Sequence, residues 1–153
     1  MAMKTKTFLI LCLIVGMATT QISAQNDKGT GNDIYTVAQL GWGCPVFCDG
    51  VQVDDLWGYG EALIIDHYLD GEWKWETIII KGIGRNSAGE RFSFSEQDKI
   101  FYSPKLGDYT WTCHDNIKAR GDHNTLYNIS LIINPYDGTY VVKNATCTGN
   151  SGY

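Results

Sequence analysis

The chain lacks the short signatures by which many enzymes can be read from sequence. There is no G-x-S-x-G elbow, no phosphate-cradling P-loop, no H-E-x-x-H pair and no glycine-rich dinucleotide turn. No cofactor-binding pattern occurs, and every cysteine outside the leader described below is expected in a bridge, which leaves no thiol nucleophile. Also missing is any apolar run of the roughly 20 residues that a membrane-spanning helix needs. Positive charge is scarce: 12 Lys and Arg stand against 17 Asp and Glu, for a formal charge of −5. Nucleic acids and anionic membrane surfaces need clustered cations, so neither is an expected partner. No long segment carries a 3.6-residue apolar period, and no internal repeat is present.

What is present begins with an address. Lys4 and Lys6 precede the apolar run Phe8 to Val15, and Ile22-Ser23-Ala24 offers a small residue at a cleavage point. Residues 1–24 are therefore expected to be a signal peptide, and the protein to be secreted, periplasmic or extracellular. Removing that leader takes both lysines and moves the formal charge from −5 to −7. Residues 25–32, QNDKGTGN, contain no apolar side chain and are expected to form a flexible lead to one domain at 33–153.

Within the domain the signal is alternation. Tyr109, Trp111, Cys113 and Ile117 fall on one face of a strand, with Thr112, His114, Asn116 and Lys118 on the other. Tyr127, Ile129, Leu131 and Ile133 repeat the pattern, and GTYVVKNATC closes a three-stranded meander through a turn at Pro135 and Gly138. Asp70-Gly71 joins two β-rich runs, Gly58 to Leu69 and Trp73 to Ile83, as a hairpin. IYTVAQL and the segment around Phe92 and Phe94 add strands, while Ser95 to Lys99 is the one stretch able to form a helical turn. Asp54-Asp55 reads as a further turn. The expected fold is all-β, an antiparallel β-sandwich or small up-and-down barrel of about seven to eight strands.

Cys44, Cys48, Cys113 and Cys147 form an even set in an exported chain and read as two disulfides. The simplest pairing is Cys44 with Cys48 around Pro45, and Cys113 with Cys147. The longer bridge is worth roughly 4 kcal/mol and the shorter about 2 in the chain-entropy model. A four-thiolate zinc site lacks paired-knuckle spacing, and no metal is expected.

Tryptophan and tyrosine are the enriched chemistry, at five and nine residues. Rings stack on pyranose faces while nearby acids fix hydroxyls. Trp42, Trp57 and Tyr59 beside Asp54 and Asp55 are thus the candidate ligand-binding set, with Trp73 and Trp75 sharing a second face. Trp111 beside Cys113 reads as core.

His114-Asp115 looks like a base and its carboxylate, yet strand neighbours point to opposite faces. Asp122 and His123 complete a metal cluster only if their loop folds back to His114. Arg120-Gly121-Asp122 spells an adhesion tripeptide, with turn formation as its ordinary role. Asn128 and Asn144 head glycosylation triplets. Asp54, Asp55, Glu61, Asp66 and Glu76 are the acids from which a facing carboxylate pair would be drawn. The sequence supports a secreted, non-catalytic binding module for an extracellular ligand, carbohydrate or protein. Its alternatives are an inhibitor-like envelope protein acting through the Cys44–Cys48 loop, and a small-ligand carrier.

Overall fold

Alternation along long β-rich runs builds a single antiparallel ladder. The computed structural model describes residues 20–24, 30–103 and 110–149. Eight strands occur among them: β1 Thr20–Ala24, β2 Gly31–Cys48, β3 Val51–Leu69, β4 Glu72–Arg85, β5 Arg91–Ser103, β6 Thr110–Gly121, β7 Leu126–Ile133 and β8 Tyr140–Thr148. Each pairs with its chain neighbour, so the sheet runs β1 to β8 in order and is open. No helix of the described residues is long and apolar enough to cross a membrane.

Tight turns fix the registers. Asp49-Gly50 has φ of 50° and 80°, and Asp70-Gly71 has 54° and 78°. Both central residues are left-handed, the geometry whose twist matches a two-residue hairpin. Gly138 has φ of 68°, as expected of the turn before β8.

Strands of 18 and 19 residues cannot stay flat. The β2–β3 ladder is interrupted between Val37 and Leu40 and again between Val46 and Phe47. Such bulges bend the strand and increase its twist. At Gly58, Gly60 and Gly82 the β3 and β4 backbones approach too closely for a Cβ, and at Gly84 a Cβ would fit only tightly. Trp42 and Phe94 lie over this bare backbone, their rings stacked at 3.7 Å and 12°. The sheet curls until β2 touches β7 and β8, where Phe47 meets Tyr140 edge-on at 5.9 Å. The inner face holds Val46, Leu56, Phe92, Ile117 and Ile129, all essentially inaccessible. Each such side chain contributes about 1.5–3 kcal/mol on burial.

Several expectations are corrected. The bridge joins Cys48 to Cys147, with Cα atoms 5.1 Å apart, while Cys44 and Cys113 are free and buried. Cys44 and Cys48 both lie on β2, where four residues of extended chain span about 13 Å, beyond disulfide reach. Cys113 aligns through Ile133 with Tyr140, two strands away and far along β8 from Cys147. The Cys44–Cys48 segment is accordingly strand and not loop, and the chain reverses immediately after it at Asp49-Gly50. Asp54-Asp55 makes no turn, because both sit within β3 opposite Val46 and Pro45. Ser95 to Lys99 continues β5, where Phe94, Glu96 and Asp98 alternate inward. β4 does not keep Trp73 and Trp75 on one face, since the ladder shifts at His67/Tyr68 and inserts a residue between them.

Of the expected leader, only Thr20–Ala24 is described, paired with Thr36 to Asn32. Residues 25–29 of the expected lead lie outside the described residues, and Gly31 and Asn32 already belong to β2. The Trp111 side chain also lies outside them.

Candidate functional site

The inner face of the curled sheet carries acids in positions that its alternation reserves for core. Register rows across the strands define which side chains are neighbours. One row runs Ala62, Ile80, Glu96, Ile117, Ile129. The next runs Tyr35, Ile64, Ile78, Asp98, Asp115, Leu131, and a third runs Asp33, Asp66, Glu76, Ile100, Cys113. Among the described residues these three rows include no lysine, arginine or histidine. Lys74, at the inserted position of β4, pairs with exposed Glu72 at 2.6 Å.

Glu96, Asp98 and Asp115 are only 8%, 9% and 4% exposed. One carboxylate oxygen from each lies within 4.8 Å of the others. At an effective dielectric near 20, two ionised groups that close repel by about 3.5 kcal/mol or more. Glu96 accepts a hydrogen bond from the Trp42 indole N–H. Asp98 Oδ1 and Asp115 Oδ1 receive none from the protein. Burial pushes all three carboxyls above the ordinary range, and for Asp115 the charges of Glu96 and Asp98 push further. Burial also raises the free thiols of Cys44 and Cys113, with neighbouring carboxylates acting in the same direction.

A second acidic group adjoins the first. Tyr35 Oη donates to Asp66 Oδ2 at 2.9 Å and lies 3.4 Å from Glu76 Oε2, while the Trp73 indole donates to Asp66 Oδ1 at 2.8 Å. Burial raises the Glu76 carboxyl, followed by the charge of Asp66 and, more weakly, that of Asp98. The two groups are therefore electrostatically continuous. They can hold protons or a cation, and they repel anions.

The candidate set from the sequence is divided between the faces. Trp42 is buried inside, whereas Trp57 and Tyr59 stand 56% and 67% exposed on the outer face. Asp54 accepts hydrogen bonds from Ser87, and Asp55 accepts one from Gln52. Trp75 lies outside, stacked on His67 at 4.6 Å with Lys99 Nζ 4.8 Å above its ring. Of the five acids suggested for a carboxylate pair, Asp66 and Glu76 are direct partners, while Glu61 faces Lys81. His114 is exposed on the outer face against Phe101. His123 sits beyond the far end of β6, 3.6 Å from Glu90, so the His114–Asp122–His123 cluster does not form. Arg120 and Gly121 end β6, so the adhesion tripeptide is partly strand. A depression of about 210 Å³ among Ser95, Lys118, Arg120 and Leu126 is smaller than typical ligand pockets.

Sequence reasoning missed Glu96, Asp98 and Asp115. Their signal was periodicity: Glu96 and Asp98 continue the Phe92, Phe94 face, and Asp115 lies between Cys113 and Ile117. No family model, curated protein or solved structure matches this chain.

Proposed function

We propose that this chain is a secreted, non-catalytic binding protein whose curled sheet seats a small, positively charged ligand on its inner face. One observation carries the reading: Asp66, Glu76, Glu96, Asp98 and Asp115 converge on a sheltered surface whose central rows hold no basic side chain. Burying like charges together is strongly unfavourable unless protons or a counter-charge accompany them. The disulfide-fastened sheet supplies a preformed seat, and Trp42 and Trp73 donate to its acids from the walls. Tryptophan fluorescence titration with spermidine, Ca²⁺, Mn²⁺ and Zn²⁺ at low salt tests the idea. Saturable binding of at least one cation, weakened by Glu76→Gln or Asp98→Asn, is expected. Saturation by none of them overturns the reading.

The outer face supports a second reading, a sugar platform. Trp57 and Tyr59 alternate on β3 and project to the same side about 7 Å apart, a spacing suited to stacked rings. Glycan binding abolished by Trp57→Ala and untouched by Asp98→Asn would favour it over the cation seat.

A further inference from the structure

Glu96 and Asp98 are alternate residues of β5, so both project inward, and Asp115 on β6 is the direct register partner of Asp98. Three oxygens, one from each, lie within 4.8 Å of one another. Two ligands of one ion cannot be farther apart than twice the metal–oxygen distance, roughly 4–5 Å for the common divalent ions. A spread of at most 4.8 Å lies at the upper end of that range, so the three oxygens need close in by only a few tenths of an ångström to share a Ca²⁺, and somewhat more for the smaller ions. The neighbouring indole donor is committed to Glu96. Asp98 Oδ1 and Asp115 Oδ1, on side chains more than nine-tenths buried, receive no hydrogen bond from the protein. Unpartnered buried oxygens of this kind are rare, because each forfeits the hydration it had in the unfolded chain.

We infer that Glu96, Asp98 and Asp115 together bind one divalent metal ion through carboxylate oxygens. The inference deepens the cationic-ligand reading and rests on it. A divalent ion answers three acids better than an ammonium group does, since it is smaller than their separation, needs no tail and neutralises two charges. Carboxylate donors suit Mg²⁺, Ca²⁺ and Mn²⁺. The Cys113 thiol adjoins Asp98, which gives Zn²⁺ a sulfur that the harder ions do not use.

The experiment uses the full chain stripped with chelator, titrated calorimetrically with Ca²⁺, Mn²⁺ and Zn²⁺ and followed by thermal unfolding. One ion per chain and a raised Tm are expected, with affinity lowered at least tenfold by Asp98→Asn and by Asp115→Asn. Glu61→Gln, an exposed acid on the outer face, leaves affinity unchanged. Paramagnetic quenching by Mn²⁺ needs no acid variant: it should be strong in the wild type and largely lost in Trp42→Phe. Failure of all three metals to bind overturns the inference, and spermidine binding under the same conditions would leave the cationic-ligand reading standing. Metal binding indifferent to both Asn variants, or quenching indifferent to Trp42→Phe, also overturns it.

Discussion

In metal-free protein, stability should fall as pH rises from 5 to 8, the reverse of an ordinary carboxylate-stabilised fold. The carboxyls of Glu96, Asp98 and Asp115 are all raised, with burial the first cause in each. A folded carboxyl that keeps its proton where the unfolded chain has released it makes the native state the better proton binder. Stability then declines with pH. The contribution is complete below about pH 4, where unfolded Asp and Glu titrate, and is lost as pH climbs through the raised folded values. Each retained proton is worth about 1.4 kcal/mol per pH unit, so one proton held from pH 5 to 8 amounts to about 4 kcal/mol. That is a large part of the 5–15 kcal/mol typical of a domain. The three carboxyls titrate as one group, so removing one of its proton sites with Asp115→Asn should make the slope shallower, by up to about 1.4 kcal/mol per unit. Exposed Glu72 and Asp137 are lowered by Lys74 and Thr139 and act in the opposite sense at more acidic pH, and His67, lowered by burial and then by Lys99, opposes the trend just below the ordinary histidine range. Urea unfolding in chelator at pH 5, 6, 7 and 8 measures the slope. A flat or rising stability, or an Asp115→Asn variant with the wild-type slope, would refute the reasoning.

Non-reducing peptide mapping should recover Cys48 linked to Cys147, with Cys44 and Cys113 alkylated only after unfolding; a Cys113–Cys147 peptide would contradict the fold. Cys48→Ser opens a loop of sequence separation 99 and should lower unfolding free energy by about 4–5 kcal/mol, read from urea midpoints. Trp42→Phe keeps a ring over Phe94 but removes the donor to Glu96, so a loss of about 1–3 kcal/mol is expected; an unchanged midpoint would deny that bond. Gly82→Ala places a methyl against the Tyr59 carbonyl and the Phe94 ring, and thermal melts should show a loss of more than about 2 kcal/mol.

Strands were legible wherever residue type and turn chemistry agreed. Asp70-Gly71 marks its hairpin, whereas the same dipeptide at Asp49-Gly50 is masked by Pro45 and the closely spaced cysteines, which point to an earlier reversal. The pairing itself could not be read, because Cys48 meets Cys147 only after the sheet has curled, and curling depends on bulges and glycines that leave no alternation signal. A bulge likewise separated Trp73 from Trp75. The acidic triad was within reach. Strict period-2 counting through Phe92 and Phe94 assigns Glu96 and Asp98 to the interior, and counting through Cys113 and Ile117 assigns Asp115 there as well. What counting lacks is the cross-strand register that turns three buried acids into one cluster.

The Cys48–Cys147 bond also has a mechanical consequence. β3 through β7 lie wholly between the two cysteines. Tension applied at the chain's two ends passes from Cys48 to Cys147 through sulfur, and the intervening ribbons carry no load. Only the flanking strands can be peeled away by pulling, and thiol reagents, more than force, decide whether the middle of the molecule can be extended.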